Sequence, residues 1–123
     1  HKVTFGNAYH LSSKIGRCVS LDSMLMLGAH SVINPLATLG KGVIINTGAI
    51  IEHECKIGDF VHVAPGSILA GNVEIGQNTF VGAGSVIKEG VKICSNVVIG
   101  AGSVVIGDIN EAGTYVGIPA KKI

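Results

Sequence analysis

An aliphatic residue recurs at every sixth position through most of this chain. From Ile15 to Val105 the series has sixteen members and contains only Ile, Leu and Val, with no insertion or deletion. Its members are Ile15, Leu21, Leu27, Ile33, Leu39, Ile45, Ile51, Ile57, Val63, Leu69, Ile75, Val81, Ile87, Ile93, Ile99 and Val105. A helix repeats near 3.6 residues and a half-buried strand at two, so neither accounts for a period of six. The repeat predicts a solenoid built from short, stacked units.

A second repeat, three residues after each aliphatic position, predicts corners. Between residues 42 and 108 this position holds Gly, Asn or Asp in ten of twelve hexads. Gly and Asn adopt left-handed backbone angles at low cost, so each hexad is expected to turn once. Three hexads would then close a triangular coil with the aliphatic side chains stacked inside. We therefore predict an all-β parallel solenoid of about five coils over residues 15–108, with a lead-in at 1–14 and a C-terminal cap at 109–123.

The corner pattern fails twice, at Glu54 and Phe60, inside the segment IIEHECKIGDF that spans residues 50–60. A non-glycine residue at such a corner costs on the order of 1 kcal/mol, and local rules are often broken at functional sites. His53 precedes Glu54 and is expected to face outward, where a neighbouring carboxylate would raise its basicity and fix its tautomer for proton transfer. Gly71 lies one coil later, where its N–H is placed to face a developing oxyanion. An ordinary exposed surface remains the alternative interpretation of these residues.

Composition excludes several classes of partner and site. The net charge is +1 with 14% charged residues, and no basic stripe points to nucleic acid or to an anionic membrane. Cys18, Cys55 and Cys94 are widely spaced without a CxxC motif, which argues against a disulfide framework or a zinc site and favours a reducing, cytoplasmic compartment. No run of 18 apolar residues predicts a membrane span. Cys55 occupies a small corner-packing position and is interpreted as structural rather than as a nucleophile.

One segment carries a more specific signal than the hexad itself. The stretch INTGAIIEHECKIGDFVHVAPGSILAGNVEIG, together with VGIPAKK near the end, resembles the bacterial nucleotide-sugar and sialic-acid acetyltransferases with hexapeptide repeats, among them the bacillosamine-pathway type of N-acetyltransferase. The resemblance covers about residues 25–123. It implies a left-handed parallel β-helix and direct transfer of an acetyl group from acetyl-CoA, without a metal, to an amino or hydroxyl group of a sugar. It also implies a homotrimer with each site formed between neighbouring chains.

The resemblance implies roles for particular residues on the catalytic side. His53 corresponds to the general base, and Glu54 is similar to the carboxylate that raises the basicity of that histidine. Gly71 aligns with a backbone amide that faces the thioester carbonyl. These are the same three residues that the break in the corner pattern brings together.

Further residues are implied to bind the two substrates. His62 matches a histidine that contacts acetyl-CoA near the thioester. Ala83 and Ala101 align with positions whose backbone contacts the pantetheine arm, and they lie one coil apart on one edge. Asn46 aligns with a polar residue near the acceptor, which the family identifies as a sugar or nucleotide sugar.

The chain departs from the family pattern at its N-terminal end. Family members usually carry a nucleotide-binding α/β domain before the repeats, whereas no glycine-rich strand-to-helix loop precedes the repeats here. The chain is therefore expected to be a fragment or to recognise its acceptor differently. Two other functions stay open. One is a non-catalytic solenoid for binding or assembly, and the other is a γ-type carbonic anhydrase, whose three zinc-binding histidines need a spacing that no histidine pair here has.

Overall fold

The protein winds into three β-sheets that form the sides of a triangular prism, and their strands are parallel except for the last one. A computed structural model describes residues 6–123, and within this range it contains nineteen strands and no helix. Sheet A contains β1 (Ala8–Tyr9), β4 (Met26–Leu27), β7 (Ile44–Ile45), β10 (His62–Val63), β13 (Phe80–Val81), β16 (Val97–Ile99), β18 (Gly113–Gly117) and β19 (Ala120–Lys122). Sheet B contains β2 (Lys14–Ile15), β5 (Val32–Ile33), β8 (Ile50–Ile51), β11 (Ile68–Leu69), β14 (Val86–Ile87) and β17 (Val104–Val105). Sheet C contains β3 (Ser20–Leu21), β6 (Thr38–Leu39), β9 (Lys56–Ile57), β12 (Glu74–Ile75) and β15 (Lys92–Ile93).

Strand pairing confirms a coil of three hexads. Ile45 pairs with Val63 in sheet A, and the same 18-residue offset recurs in sheets B and C. The number of coils differs from the prediction, because there are about six turns rather than five. The coil begins before Ile15: Tyr9 already pairs with Leu27 in the same register.

The two ends of the solenoid close differently. Of the predicted lead-in at 1–14, residues 1–5 lie outside the described residues, whereas β1 and Lys14 already belong to coiled strands. In the predicted cap at 109–123, Ile109 bridges Ile93, and β18 then pairs with β16 in parallel. Strand β19 folds back antiparallel on β18. The domain boundaries themselves stay a prediction.

The core is a stack of two inward side chains from each hexad. Ile51 and Ala49 are both fully buried, as are the equivalent residues of the central coils. Each buried Ile, Leu or Val contributes roughly 1.5–3 kcal/mol by leaving water, and stacking supplies the burial because one coil cannot cover itself. Ile15, the first member of the aliphatic series, is an exception at 41% exposure. It lies on a terminal coil, which has a neighbour on one side only.

Left-handed corners recur every six residues from residue 18 to residue 102. Glu54 and Phe60 adopt φ values of 63° and 57°, as expected from their place in the hexad. The predicted series of corners begins at residue 42 and therefore misses four earlier ones. These corners also lack Gly and Asn, and they are Cys18, Met24, His30 and Leu36. Asp108, counted as a corner, is not among the described residues with positive φ. A non-glycine corner is therefore common in this solenoid and does not by itself mark a functional site.

Glycine also recurs one residue after the aliphatic position, and there the reason is steric rather than a left-handed backbone angle. At Gly82 a β-carbon would lie 2.6 Å from the backbone nitrogen of Ala101, on the next coil. The coils approach too closely at this point to admit a side chain, so the repeated glycine there reflects stacking rather than backbone angle.

The three outer faces have different chemistry. Sheet B presents an aliphatic ladder after Lys14, and sheet A presents mainly apolar side chains around His62. Sheet C presents a polar and charged ladder in which Glu74 lies 3.6 Å from Lys56 and 3.9 Å from Lys92. The outward residues of sheet B are Val32, Ile50, Ile68, Val86 and Val104, and those of sheet C are Ser20, Thr38, Lys56, Glu74 and Lys92. Across residues 6–123 no helix is long and apolar enough to cross a membrane.

Candidate active site

His53 lies at the corner between β8 and β9 and stacks over the next coil. A β-carbon on Gly71 would lie only 2.6 Å from its Nε2 atom, so the imidazole occupies the space above that glycine. The Nδ1 atom lies 3.5 Å from Oε1 of Glu54, an ion-pair distance that is longer than a strong hydrogen bond. Both side chains are more than half exposed. The ring is thus oriented with Nδ1 towards the carboxylate and Nε2 over Gly71.

Backbone hydrogen bonds between coils hold this corner in place. The N–H of Glu54 donates to the carbonyl of Pro35 at 3.1 Å, and the N–H of Asn72 donates to the carbonyl of His53 at 2.9 Å. The corner is therefore tied to the coils before and after it. The missing side chain of Gly71 leaves room for the His53 ring, and the role of its N–H stays a prediction.

His62 lies on the outer face of sheet A, against two further side chains. Its ring meets Phe80 edge-on with centroids 5.1 Å apart, and its Nε2 atom lies 3.3 Å from Nδ2 of Asn46. The Oδ1 atom of Asn46 accepts the N–H of Thr47 at 2.7 Å, which directs its NH₂ group at the imidazole. Partial burial lowers the pKa of His62. The histidine is therefore neutral near pH 7, with Nε2 as the acceptor and the proton on Nδ1.

Three residues that are predicted to contact acetyl-CoA through their backbone have N–H groups without a hydrogen-bond partner in the described chain. Within the described chain, the N–H groups of Gly71, Ala83 and Ala101 donate to no protein acceptor. Ala83 and Ala101 are exposed and one coil apart on the corner between sheets A and B. The N–H groups of Ala83 and Ala101 are available to donate to a carbonyl oxygen of a ligand along that edge, as free N–H groups commonly do at ligand sites.

The structure divides the predicted site residues between two edges of the prism. His53, Glu54 and Gly71 lie at the corner between sheets B and C. Another group lies on sheet A and at the corner between sheets A and B, and it consists of Asn46, His62, Ala83 and Ala101. Sheet B separates the two corners. Within one chain the predicted base His53 and the predicted acetyl-CoA contact His62 do not meet.

Cys55 is a core residue rather than part of the exposed edge. It is fully buried, and its thiol donates to the carbonyl of Ala70 at 3.2 Å. Burial raises the pKa of the Cys55 thiol, which disfavours the nucleophilic thiolate. The geometry agrees with the structural interpretation of this residue.

A groove of about 640 Å³ runs over sheet C, apart from all predicted site residues. Lys56, Glu74, Lys92, Cys94 and Asn110 are among the residues that line it. Its outward side chains are the paired charges of the sheet C ladder, and His53 does not line it. Among residues 6–123 no group of three or more His, Cys, Asp and Glu side chains could hold a metal ion.

Sequence reasoning missed Phe80 and Pro35. Phe80 follows His62 by one coil and contacts its ring, whereas Pro35 precedes His53 by one coil and accepts the hydrogen bond from Glu54. Both could have been found from the period, because the residue 18 positions away in either direction lies directly above or below on the same face.

A sequence-family comparison matches the repeats directly. The family described as bacterial transferase hexapeptide (six repeats) matches residues 36–71, 54–89 and 72–107, which together form more than half of the chain. The match confirms the parallel β-solenoid that the hexad predicts and the left hand that the resemblance implies. A search of curated protein sequences finds no match.

Solved structures provide closer comparisons. PerB from Caulobacter crescentus, in complex with CoA and GDP-perosamine, is 36% identical with a TM-score of 0.95, and the match covers 97% of this chain and 57% of PerB. The acetyltransferase domain of PglB from Neisseria gonorrhoeae is 31% identical with a TM-score of 0.94, over 97% of this chain and 58% of that domain. WeeI from Acinetobacter baumannii is 28% identical with a TM-score of 0.90, over 94% of this chain and 57% of WeeI. This chain thus spans less than two thirds of each of these proteins.

Proposed function

Because the chain belongs to the bacterial transferase hexapeptide family, we propose that it transfers the acetyl group of acetyl-CoA to the amine of a nucleotide-linked amino sugar. The observation that carries the proposal is the His53 imidazole, oriented between Glu54 and Gly71 on an exposed edge. The similarity to PerB, a protein solved with CoA and GDP-perosamine, supports the choice of donor and acceptor class. The free cysteines favour a reducing, cytoplasmic setting for this reaction.

The proposed mechanism is a direct attack with one base. Nε2 of His53 removes a proton from the acceptor amine as its nitrogen forms a bond with the thioester carbonyl carbon. The N–H of Gly71 stabilises the negative charge that develops on the carbonyl oxygen. The carbon–sulfur bond then breaks, and the protonated His53 returns its proton to the CoA thiolate. Glu54 holds the imidazole with Nδ1 protonated and stabilises the imidazolium that forms.

We further propose that each site forms between two chains of a homotrimer. The two groups of site residues lie on opposite sides of sheet B, so the His53 edge of one chain would meet the His62 edge of its neighbour. The aliphatic ladder on sheet B would then face the threefold axis. Monomeric proteins seldom expose a continuous apolar stripe of this kind, which supports burial of sheet B in an assembly.

Replacement of His53 tests the chemistry. In an assay of CoA thiol release with a nucleotide-linked amino sugar, His53→Ala is expected to lower kcat/KM about 10²- to 10⁴-fold. Gln77→Ala is the matched control, because Gln77 is exposed at the same hexad position of a different corner. Acetyl-CoA should still raise the melting temperature of both variants. A fully active His53→Ala protein would contradict the proposed base, and a folded chain without acetyl-CoA binding would favour a non-catalytic solenoid.

Mixed assemblies test the shared site. The His53→Ala chain lacks the proposed base and the His62→Ala chain lacks the predicted acetyl-CoA contact, so each is expected to have little activity alone. The two chains are unfolded together and refolded as an equal mixture. Random assembly gives about one quarter of the sites an intact His53 from one chain and an intact His62 from its neighbour. Activity should therefore recover to about that fraction of wild type. If both histidines acted within one chain, no activity would return.

The sheet B contact can be tested by sedimentation. Ile68→Asp introduces a charge into the aliphatic ladder, whereas Thr38→Asp introduces the same charge on the outer face of sheet C. The first variant is expected to sediment as a monomer and the second as a trimer, because a buried unpaired carboxylate opposes association. A trimeric Ile68→Asp protein would place the interface elsewhere.

A further inference from the structure

Arg17, the chain's single arginine, lies on the same edge of the prism as His53. The N–H of Leu36 donates to the carbonyl of Arg17 at 3.0 Å, just as the N–H of Glu54 donates to the carbonyl of Pro35 one coil later. Arg17, Pro35, His53 and Gly71 therefore occupy one hexad position on four successive coils. At a strand spacing of ~4.8 Å, Arg17 lies about 10 Å from His53 along this edge.

The Arg17 guanidinium has no carboxylate partner. It is exposed, and within the described chain no Asp or Glu oxygen lies within ion-pair distance of it. Glu52 and Glu54 lie on the same edge two coils away, and Glu54 is turned to the His53 ring. Arg17 is thus free to bind an external anion, and a guanidinium is suited to bidentate contacts with phosphate.

The order of the coils assigns the two ends of the edge to different substrates. All residues predicted to contact the donor follow His53 in the chain, namely His62, Gly71, Ala83 and Ala101. Asn46, predicted to contact the acceptor, precedes His53 in the chain. The acceptor therefore approaches His53 from the N-terminal end of the solenoid, where Arg17 lies.

The coil between Arg17 and His53 is apolar at this edge. Pro35 lacks an N–H group, and Leu36 exposes 56% of its surface at a left-handed corner with φ of 67°. A pyranose ring carries C–H groups that can pack on such a surface, while its substituents at either end need polar partners. The sequence of basic, apolar and proton-accepting groups matches a sugar with phosphate at one end and an amine at the other.

We propose that Arg17 binds the diphosphate of the acceptor nucleotide sugar, with the sugar ring over Pro35 and Leu36 and its amine at His53. This subsite rests on the proposed function and deepens it, because the repeat domain itself would then recognise the diphosphate of the acceptor. CoA also carries a diphosphate, but its predicted contacts lie on the opposite side of His53. Arg17 thereby selects diphosphate-linked acceptors over free amino sugars.

Calorimetric binding of UDP-linked and GDP-linked 4-amino sugars, and of acetyl-CoA, tests the subsite in the intact chain. Arg17→Gln is expected to weaken binding of the nucleotide sugars about 10- to 100-fold and to leave acetyl-CoA binding unchanged. Arg17→Lys should fall between wild type and Arg17→Gln, because the charge remains and the bidentate geometry is lost. Lys41→Gln removes the same charge at the corner between sheets C and A and should bind like wild type. In the transfer assay, Arg17→Gln should raise KM for the nucleotide sugar with little change in kcat.

Each outcome separates the subsite from the reaction. If Arg17→Gln binds the nucleotide sugars as tightly as wild type, or if wild type binds none of them, the subsite is wrong. If Arg17→Gln instead weakens acetyl-CoA, the arginine belongs to the donor and the assignment is also wrong. If wild type binds acetyl-CoA and the nucleotide sugars with Arg17-dependent affinity but releases no thiol, the subsite stands and the proposed acetyl transfer fails.

Discussion

The His53 ring occupies the space that a β-carbon at residue 71 would fill, so the two residues are fitted to each other across one coil. This contact orients the proposed base more directly than the corner angle of Glu54 does. It also brings Nε2 of the imidazole close to the backbone whose N–H is free.

Gly71→Ala should displace the His53 ring and slow the reaction. The new methyl group would lie 2.6 Å from Nε2, while the backbone at residue 71 is outside the left-handed region and accepts alanine. We expect kcat/KM to fall about tenfold or more, with an unfolding free energy within about 1 kcal/mol of wild type. Steady-state kinetics and urea denaturation measure the two effects.

A double-mutant cycle provides the control for that prediction. In the His53→Ala background the methyl group meets no imidazole, so Gly71→Ala should have little further effect on the residual rate. If the second substitution still lowered the rate tenfold, the methyl group would be acting on the Gly71 amide or on the substrate rather than on His53.

His30→Gly should be more stable than His30→Ala by about 1 kcal/mol. His30 has a φ of 57°, where any β-carbon is strained and glycine is not. Gly48 lies one coil later at the same corner, and no atom lies within 4 Å of the position that its β-carbon would take. The Gly48→Ala variant should therefore lose a similar unfolding free energy through backbone strain alone. Urea midpoints at constant m compare the variants. Equal stability of His30→Gly and His30→Ala would show that these corners carry no such strain.

The thiols of Cys18 and Cys55 should differ sharply in their rate of alkylation by iodoacetamide. Cys18 is exposed, whereas Cys55 is buried, donates to Ala70 and has a raised pKa. We expect Cys18 to react first and Cys55 to react only after unfolding. In the folded state Cys55 is inaccessible to the reagent, and its raised pKa leaves little thiolate. Peptide mass spectrometry in native buffer and in denaturant follows each site. Modification of Cys55 in the native protein at a rate comparable with Cys18 would contradict its place in the core.

His62 should destabilise the fold when it is protonated. Its folded pKa lies below the ordinary value of 6.5, so the unfolded chain binds more protons than the folded one over that interval. The stability that neutral His62 contributes is complete above pH 6.5 and is lost as pH falls through the folded pKa. The unfolding free energy of wild type should therefore decrease more between pH 7.5 and pH 5 than that of His62→Gln. Parallel decreases in both proteins would mean that other groups account for the effect.

The period alone predicts most of the fold. Ile51 is one of the aliphatic residues that share one hexad position, and only a stack of coils buries all of them. The pairing register follows from the same period, because three hexads make one coil. The number of coils was underestimated because Tyr9 replaces an aliphatic residue at a position that still pairs with Leu27. Leu36 and His30 show that the solenoid tolerates side chains at left-handed angles, so the residue type at a corner does not predict a functional site.

The candidate site was predictable only residue by residue. The sequence pattern identifies His53 as outward-facing, and the period places Gly71 directly beside it. The sequence does not reveal the hydrogen bond from Asn46 to His62. That bond depends on the side-chain rotamer of Asn46, which is fixed by the hydrogen bond from the Thr47 N–H. The period does separate His53 from His62, because nine residues are half of an 18-residue coil.

The 18-residue pairing register also limits how such a chain can change length over evolution. Duplication of one complete coil would leave every side chain on its own face and move the two ends of an edge apart by ~4.8 Å. Duplication of a single hexad would rotate everything after it by one side of the triangle and carry Arg17 away from the His53 edge. Substrate length in relatives of this protein should therefore vary in steps of whole coils.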